Sequence, residues 1–160
     1  MRQRKVKNVE EKLDRHEDYL IKDGFLKKGN WNEEFGNQLP ICLELGCGKG
    51  QFIISKAKSQ KDMNFIGAEG QPTIALRGME KASLEEIPNV RFITGFIHDI
   101  SEVFGEGELS GIFLNFSDPW PKTRHAKRRL THGTYLEGYR KVAVPGACLE
   151  MKTDNEALFE

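Results

Sequence analysis

The sequence predicts an α/β domain, a mostly parallel sheet with helices on both faces. Two observations predict it. Five short apolar runs of strand length recur along the chain, separated by stretches of helical periodicity. A glycine-rich turn joins the first run to the first helical stretch, where an open α/β sheet leaves a crevice for a ligand.

The apolar runs cover residues 41–45, 64–68, 90–94, 111–116 and 147–152. Pro40 precedes the first, Pro88 the third and Pro145-Gly146 the fifth, each punctuating the pattern. Residues 51–58 put Phe52, Ile53 and Ala57 near one helical face. Residues 73–84 put Ile74, Leu76, Met79 and Ala82 at mixed three- and four-residue spacing. Residues 134–144 open with a capping-type Thr134-Tyr135-Leu136-Glu137 and place Tyr135, Tyr139 and Val142 on one side. Residues 1–37 stand apart as a basic N-terminal extension packing on the core. Within it residues 8–22 read as a charged helix, with Trp31 and Phe35 packing on the sheet. Residues 38–160 form the main domain.

The chain of 160 residues fits one domain with a substantial core. No apolar run approaches the roughly 18 residues needed to span a bilayer. The charged start, Met1 to Lys7, lacks the apolar centre of a secretory signal. Three cysteines, Cys42, Cys47 and Cys148, argue against a disulfide scaffold and suit a reducing compartment, so a soluble, cytoplasmic protein is expected. The zero net charge hides an uneven distribution. Residues 31–118 carry seven Lys/Arg against thirteen Asp/Glu, whereas residues 122–141 carry seven against one. An acidic middle beside a basic stretch suggests two different ligands, one a polyanion; the plainer reading is a solvated surface.

In the first turn, Gly46-Cys47-Gly48-Lys49-Gly50, glycines remove side chains where a ligand must lie against backbone. The spacing is G-x-G-x-G, and the dinucleotide fingerprint would need glycine where Gln51 stands. Glu44, just before the glycines, would repel a pyrophosphate and suits a cationic ligand. Glu69 ends the second run, where an acid can take both hydroxyls of a ribose. Together these features fit S-adenosylmethionine, which combines a sulfonium, an amino acid and a ribose.

Residues 114–132 carry most information. Asp118 leaves the fourth run into the same crevice, and Pro119 and Pro121 restrict the backbone around Trp120. Lys122, Arg124, Lys127, Arg128 and Arg129 follow with no acid among them, a phosphate-binding footprint. A polar loop over a cofactor crevice, followed by a polyanion track, reads as nucleic-acid modification.

The stretches LELGCGKGQF, NFSDPWPKTRHAKRRLTH and MKTDNEALFE closely resemble the bacterial tRNA (guanine-N7)-methyltransferases. Lys28 to Trp31, Phe35 to Asn37 and the Met1-Arg2-Gln3-Arg4 start resemble that family too. The resemblance implies a class I S-adenosylmethionine-dependent methyltransferase fold and methyl transfer to N7 of a guanine in the tRNA variable loop. It implies Glu44, Glu69 and Asp118 as cofactor contacts, beside Gly46 and Gly48 read from the turn itself, and Asp118 as the catalytic residue. It further implies Lys122 and Asp154 as substrate contacts, and Arg124, His125, Lys127, Arg128 and Arg129 as RNA contacts. Two departures stand out. The family's acid toward the adenine end of the cofactor is replaced by Phe96, which could stack on adenine, while Asp99 three positions on is the other candidate. The family also continues past residue 160 with two more strands and a Thr-x-x-Glu motif, so a C-terminally incomplete form is expected.

The rival readings are a truncated form acting only as an RNA-binding module, and a nicotinamide-dependent oxidoreductase, which Gln51 and the basic loop disfavour. The cysteines and His16, His98, His125 and His132 lack metal-ligand spacing, so no metal is expected. The expected partner is tRNA, with no membrane, and the chain itself is a monomer or a homodimer.

Overall fold

The computed structural model describes residues 8–116 and 133–153. Six strands, β1 (Leu20–Ile21), β2 (Ile41–Leu45), β3 (Asn64–Glu69), β4 (Val90–Thr94), β5 (Leu109–Phe116) and β6 (Ala143–Thr153), are interspersed with five helices. The helices are α1 (Val9–Asp14), α2 (Trp31–Phe35), α3 (Gln51–Ser59), α4 (Pro72–Leu84) and α5 (Gly133–Val142). The strands form one sheet in the order β1-β4-β3-β2-β5-β6, and every adjacent pair is parallel. The chain steps outward from β2 to β3 and β4, then crosses back to β5 on the other side. That reversal opens a crevice beyond the C-terminal ends of β2 and β5.

All five residues of β2 are buried, as a strand covered on both faces requires. The two-residue period sorts them. Ile41, Leu43 and Leu45 face a layer holding Trp31, Phe104, Tyr139 and Val142. Cys42 faces a layer of Leu13, Ile53, Ala57, Leu76 and Met79 from α1, α3 and α4. Asn89 knits the end of α3 to the sheet, its side-chain amide donating to the carbonyls of Ala57, Gln60 and Met63. Among the described residues, no helix is long and apolar enough to cross a membrane.

Two expectations change. The helix expected over residues 8–22 stops at Asp14, and Leu20–Ile21 instead pair with Phe92–Ile93 of β4. The Phe92 N–H donates to the Tyr19 carbonyl at 2.7 Å. Pairing buries both apolar residues and covers an edge that β4 would otherwise leave open. Trp31 is fully buried, as expected of an anchor. It stacks on Phe104 at 5.2 Å and donates from its indole to the Val103 carbonyl. The last strand begins at Ala143, four residues early, with Pro145-Gly146 inside it. Leu109 pairs with Ala143 and Gly111 with Cys148, so Ser110 alone faces four residues of β6. In that bulge neither the missing proline N–H nor the φ of 82° at Gly146 disturbs the ladder.

Candidate functional site

The turn after β2 is folded onto the end of β3. The N–H groups of Gly46 and Cys47 both donate to the Ala68 carbonyl, at 2.9 and 3.0 Å. Gly46, Gly48 and Gly50 have φ of 71°, 57° and 80°, the left-handed region that side chains disfavour. Gly50 caps α3 and is packed tightly, since a Cβ there would lie 3.2 Å from the Phe92 ring and 3.3 Å from Gly78 Cα. A Cβ on Gly48 would meet nothing within 4 Å. That part of the turn offers bare backbone to the crevice.

Two carboxylates bracket the turn. Glu69 Oε1 accepts the Gly48 N–H at 3.1 Å, and its Oε2 accepts the Gln71 N–H at 2.9 Å. Glu44 is only 1% exposed, with Gly67 and Phe113 as its register partners. Gly67 leaves space that the Cys47 side chain fills, with Sγ 2.9 Å from where a Gly67 Cβ would stand. Burial pushes the Cys47 thiol well above its ordinary range, and the charges of Glu44 and then Glu69 push it further. Both carboxylates therefore act on the floor of the turn. A negative field there disfavours a phosphate and favours a cation.

Beyond Glu69 the rim continues to β4. Gly95, at φ 98°, donates its N–H to the Glu69 carbonyl at 3.0 Å. The chain then sets the Phe96 ring against Gly70, where any Cβ would overlap it. Phe96 is nonetheless 76% exposed. Asp99 is engaged elsewhere. Its Oδ1 accepts the N–H and the hydroxyl of Ser101, at 3.0 and 2.6 Å, capping the short turn Ile100–Glu102. Those bonds hold its carboxyl below the usual range.

Of the sequence-predicted residues, the structure brings Glu44, Gly46, Gly48 and Glu69 together at one rim. Asp118, Lys122, Arg124, His125, Lys127, Arg128, Arg129 and Asp154 lie outside the described residues. Sequence reasoning missed the seat of Cys47 on Gly67. A glycine inside a strand run is the signal that marks such a close approach.

A family model described as "Putative methyltransferase" matches residues 38–160. The tRNA (guanine-N(7)-)-methyltransferase of Brevibacillus brevis is 46% identical over 160 residues, covering 100% of this chain and 74% of that one. The protein of that name from Pediococcus pentosaceus is 45% identical, covering 100% and 76%. The chain belongs to the tRNA (guanine-N7)-methyltransferase family. Other members match at similar levels; that of Limosilactobacillus reuteri is 47% identical over 145 residues, covering 91% of this chain and 68% of that one. Solved structures share the fold. The aminoglycoside resistance methyltransferase NpmB1 superposes with a TM-score of 0.62 at 21% identity, covering 81% of this chain and 63% of its own. A SAM dependent methyltransferase from Aquifex aeolicus gives 0.55 at 19%, covering 77% and 61%. The tRNA (guanine-N7)-methyltransferase family resemblance and the α/β fold expected from the sequence are both upheld.

Proposed function

We propose that this chain transfers the methyl group of S-adenosylmethionine to N7 of a guanine in tRNA, within the variable loop, and works in the cytoplasm where tRNA resides. The observation that carries the cofactor assignment is the Gly48–Glu69 hydrogen bond over buried Glu44. It sets bare backbone, a ribose-ready carboxylate and a negative floor at one strand switch. S-adenosylmethionine fits that set, since it brings ribose hydroxyls and two positive charges and no phosphate. The relatives' shared name supports tRNA and the N7 position.

When bound, the cofactor supplies a methyl carbon made electrophilic by its sulfonium. Guanine N7 carries no proton, so its lone pair needs no general base. The chain's residues then have two tasks, to position the base and to offset the positive charge that develops on the purine. We assign both to Asp118, holding guanine edge N–H groups, with Lys122 on a phosphate or the guanine O6 and Asp154 on the substrate. Arg124, His125, Lys127, Arg128 and Arg129 hold the RNA backbone.

The test is a transfer assay with labelled S-adenosylmethionine and unmodified bulk tRNA, read by cleavage at 7-methylguanine. Label at guanine N7 is expected. Salt-dependent tRNA binding with no transfer would reduce the chain to an RNA-binding module.

A further inference from the structure

The cysteines have no metal-ligand spacing along the chain, yet strand register gathers two of them. Cys42 of β2 pairs with Gly111 of β5, and Gly111 pairs with Cys148 of β6. Register partners of a parallel sheet project from the same face. Cys42 and Cys148 therefore flank a position that has no side chain. The Cys42 sulfur leans over that gap, since a Cβ on Gly111 would lie 3.1 Å from it. Cys42 is buried and Cys148 is exposed, so the pair is open from the β6 side. The two thiols sense one another: after burial, the charge of Cys148 is the next cause of the upward push on the Cys42 thiol. Lys56 of α3 acts on both thiols in the opposite sense. Its ammonium stands 5.7 Å from the centre of the Phe113 ring, two residues along β5 from Gly111.

The strand spacing decides what such a pair can hold. Two steps of about 4.8 Å put the Cα atoms of Cys42 and Cys148 roughly 9–10 Å apart. A disulfide needs about 4.4–6.8 Å, so the thiols cannot join directly without moving a strand. Two metal–sulfur bonds of about 2.3 Å, in place of one S–S bond of about 2.0 Å, extend that reach by roughly 2.6 Å. One ion between the sulfurs spans the row. Among the described residues no three His, Cys, Asp or Glu side chains gather to hold a metal, which disfavours four-coordinate zinc. Two thiolates alone select a soft ion. We propose that Cys42 and Cys148 form a two-coordinate site for copper(I) across Gly111. Binding forms two Cu–S bonds and releases two thiol protons to solvent, and copper keeps its oxidation state. The single negative charge that results lies in the field of the Lys56 ammonium. Glu150 accepts the Cys148 thiol at 3.7 Å and holds that sulfur until the ion displaces its proton. The site stands independently of the cofactor reading.

Anaerobic titration of the full chain with copper(I), in competition with a colorimetric copper(I) chelator, tests the proposal. One ion per chain is expected, with two sulfur neighbours seen by X-ray absorption at the copper edge. Cys148→Ser, a change at an exposed position, should lower the affinity by more than the roughly 10- to 100-fold that loss of an outer partner costs a metal site. Gly111→Ala keeps both thiols and fills the gap between them, so it should weaken binding by about 10- to 100-fold. Thermal melting checks that both variants fold, and Cys148→Ser decides if Gly111→Ala does not. Copper(I) held equally well by Cys148→Ser overturns the proposal, as does a chain that never competes with the chelator. Undiminished affinity in folded Gly111→Ala overturns the placement across the glycine. One ion shared by two chains, seen as a doubled mass in light scattering, overturns a site within one chain.

Discussion

Gly67→Ala places a methyl group 2.9 Å from Cys47 Sγ, 3.2 Å from Cys47 Cβ and 3.4 Å from Ile53 Cγ2. The first two separations are too short, so the Cys47 side chain must move. Overpacking a closed site costs about 1–3 kcal/mol, and exchanging glycine for alanine inside a strand returns about 0.5–1 kcal/mol. The expected net loss is up to about 2.5 kcal/mol, with a fall in Tm of roughly 2–4 °C per kcal/mol for a chain of this size. The residue that must yield belongs to the glycine turn, whose Gly46 and Cys47 amides sit on the carbonyl of Ala68, next to the substitution. Affinity for S-adenosylhomocysteine should therefore fall together with stability. Urea unfolding and calorimetry on Gly67→Ala, Cys47→Ala and the double variant read both effects. Cys47→Ala removes the sulfur at 2.9 Å, so the double variant should recover at least part of each loss. A coupling energy below about 0.5 kcal/mol, as for distant and independent sites, would refute the idea that Cys47 fills the space over Gly67.

Asp118→Asn should lower the methylation rate far more than the affinity for S-adenosylhomocysteine; equal losses would count against charge stabilisation. Replacing Arg128 and Arg129 by glutamine should lower the salt slope of tRNA binding by roughly 1.4–1.8, since each phosphate contact contributes about 0.7–0.9. Burial pushes the Cys42 thiol up to about 11. The unfolded chain then releases that proton at lower pH than the folded one, so stability present below about pH 8.5 declines as pH rises toward 11. Urea melts at about pH 7.5 and about pH 10, on either side of the ordinary thiol value, on the parent chain and Cys42→Ala should show a shallower decline in the variant. Asn89→Leu should cost about 2–4 kcal/mol, because its amide serves three carbonyls at the end of α3; a loss under about 0.5 kcal/mol, the scale of a neutral surface change, would show those bonds to be dispensable.

The parallel sheet was legible because each central strand is a short apolar run and each helix carries its own period. Glu44, Gly46, Gly48 and Glu69 could be named because turn glycines and strand-end acids sit at fixed places in such a sheet. β1 was not legible. Two residues cannot show a period, and Leu20–Ile21 become a strand through an edge that β4 supplies from 72 positions away. The early start of β6 was hidden for a related reason. Pro145-Gly146 signals a break locally, and a bulge against Ser110 lets the strand continue around it. The seat of Phe96 was out of reach too, because it depends on Gly70 lying under a residue from the neighbouring strand.

The three glycines of the turn perform separate tasks, and this decides what the turn can bind. Gly46 lets the chain reverse so that two amides reach one carbonyl of β3. Gly50 lets α3 approach α4 at Gly78, and a Cβ on Gly78 would in turn lie 2.8 Å from the Phe92 ring. That glycine pair packs helices and faces no ligand. Gly48 has open space where a side chain would stand, and its N–H is already held by the Glu69 carboxylate. In a dinucleotide-binding turn the corresponding amides must be free for a pyrophosphate. Here a carboxylate occupies the donor, and a second one is buried beneath it in Glu44. A diphosphate would have to displace the first and tolerate the second, whereas a sulfonium ligand with a free ribose needs both to stay where they are.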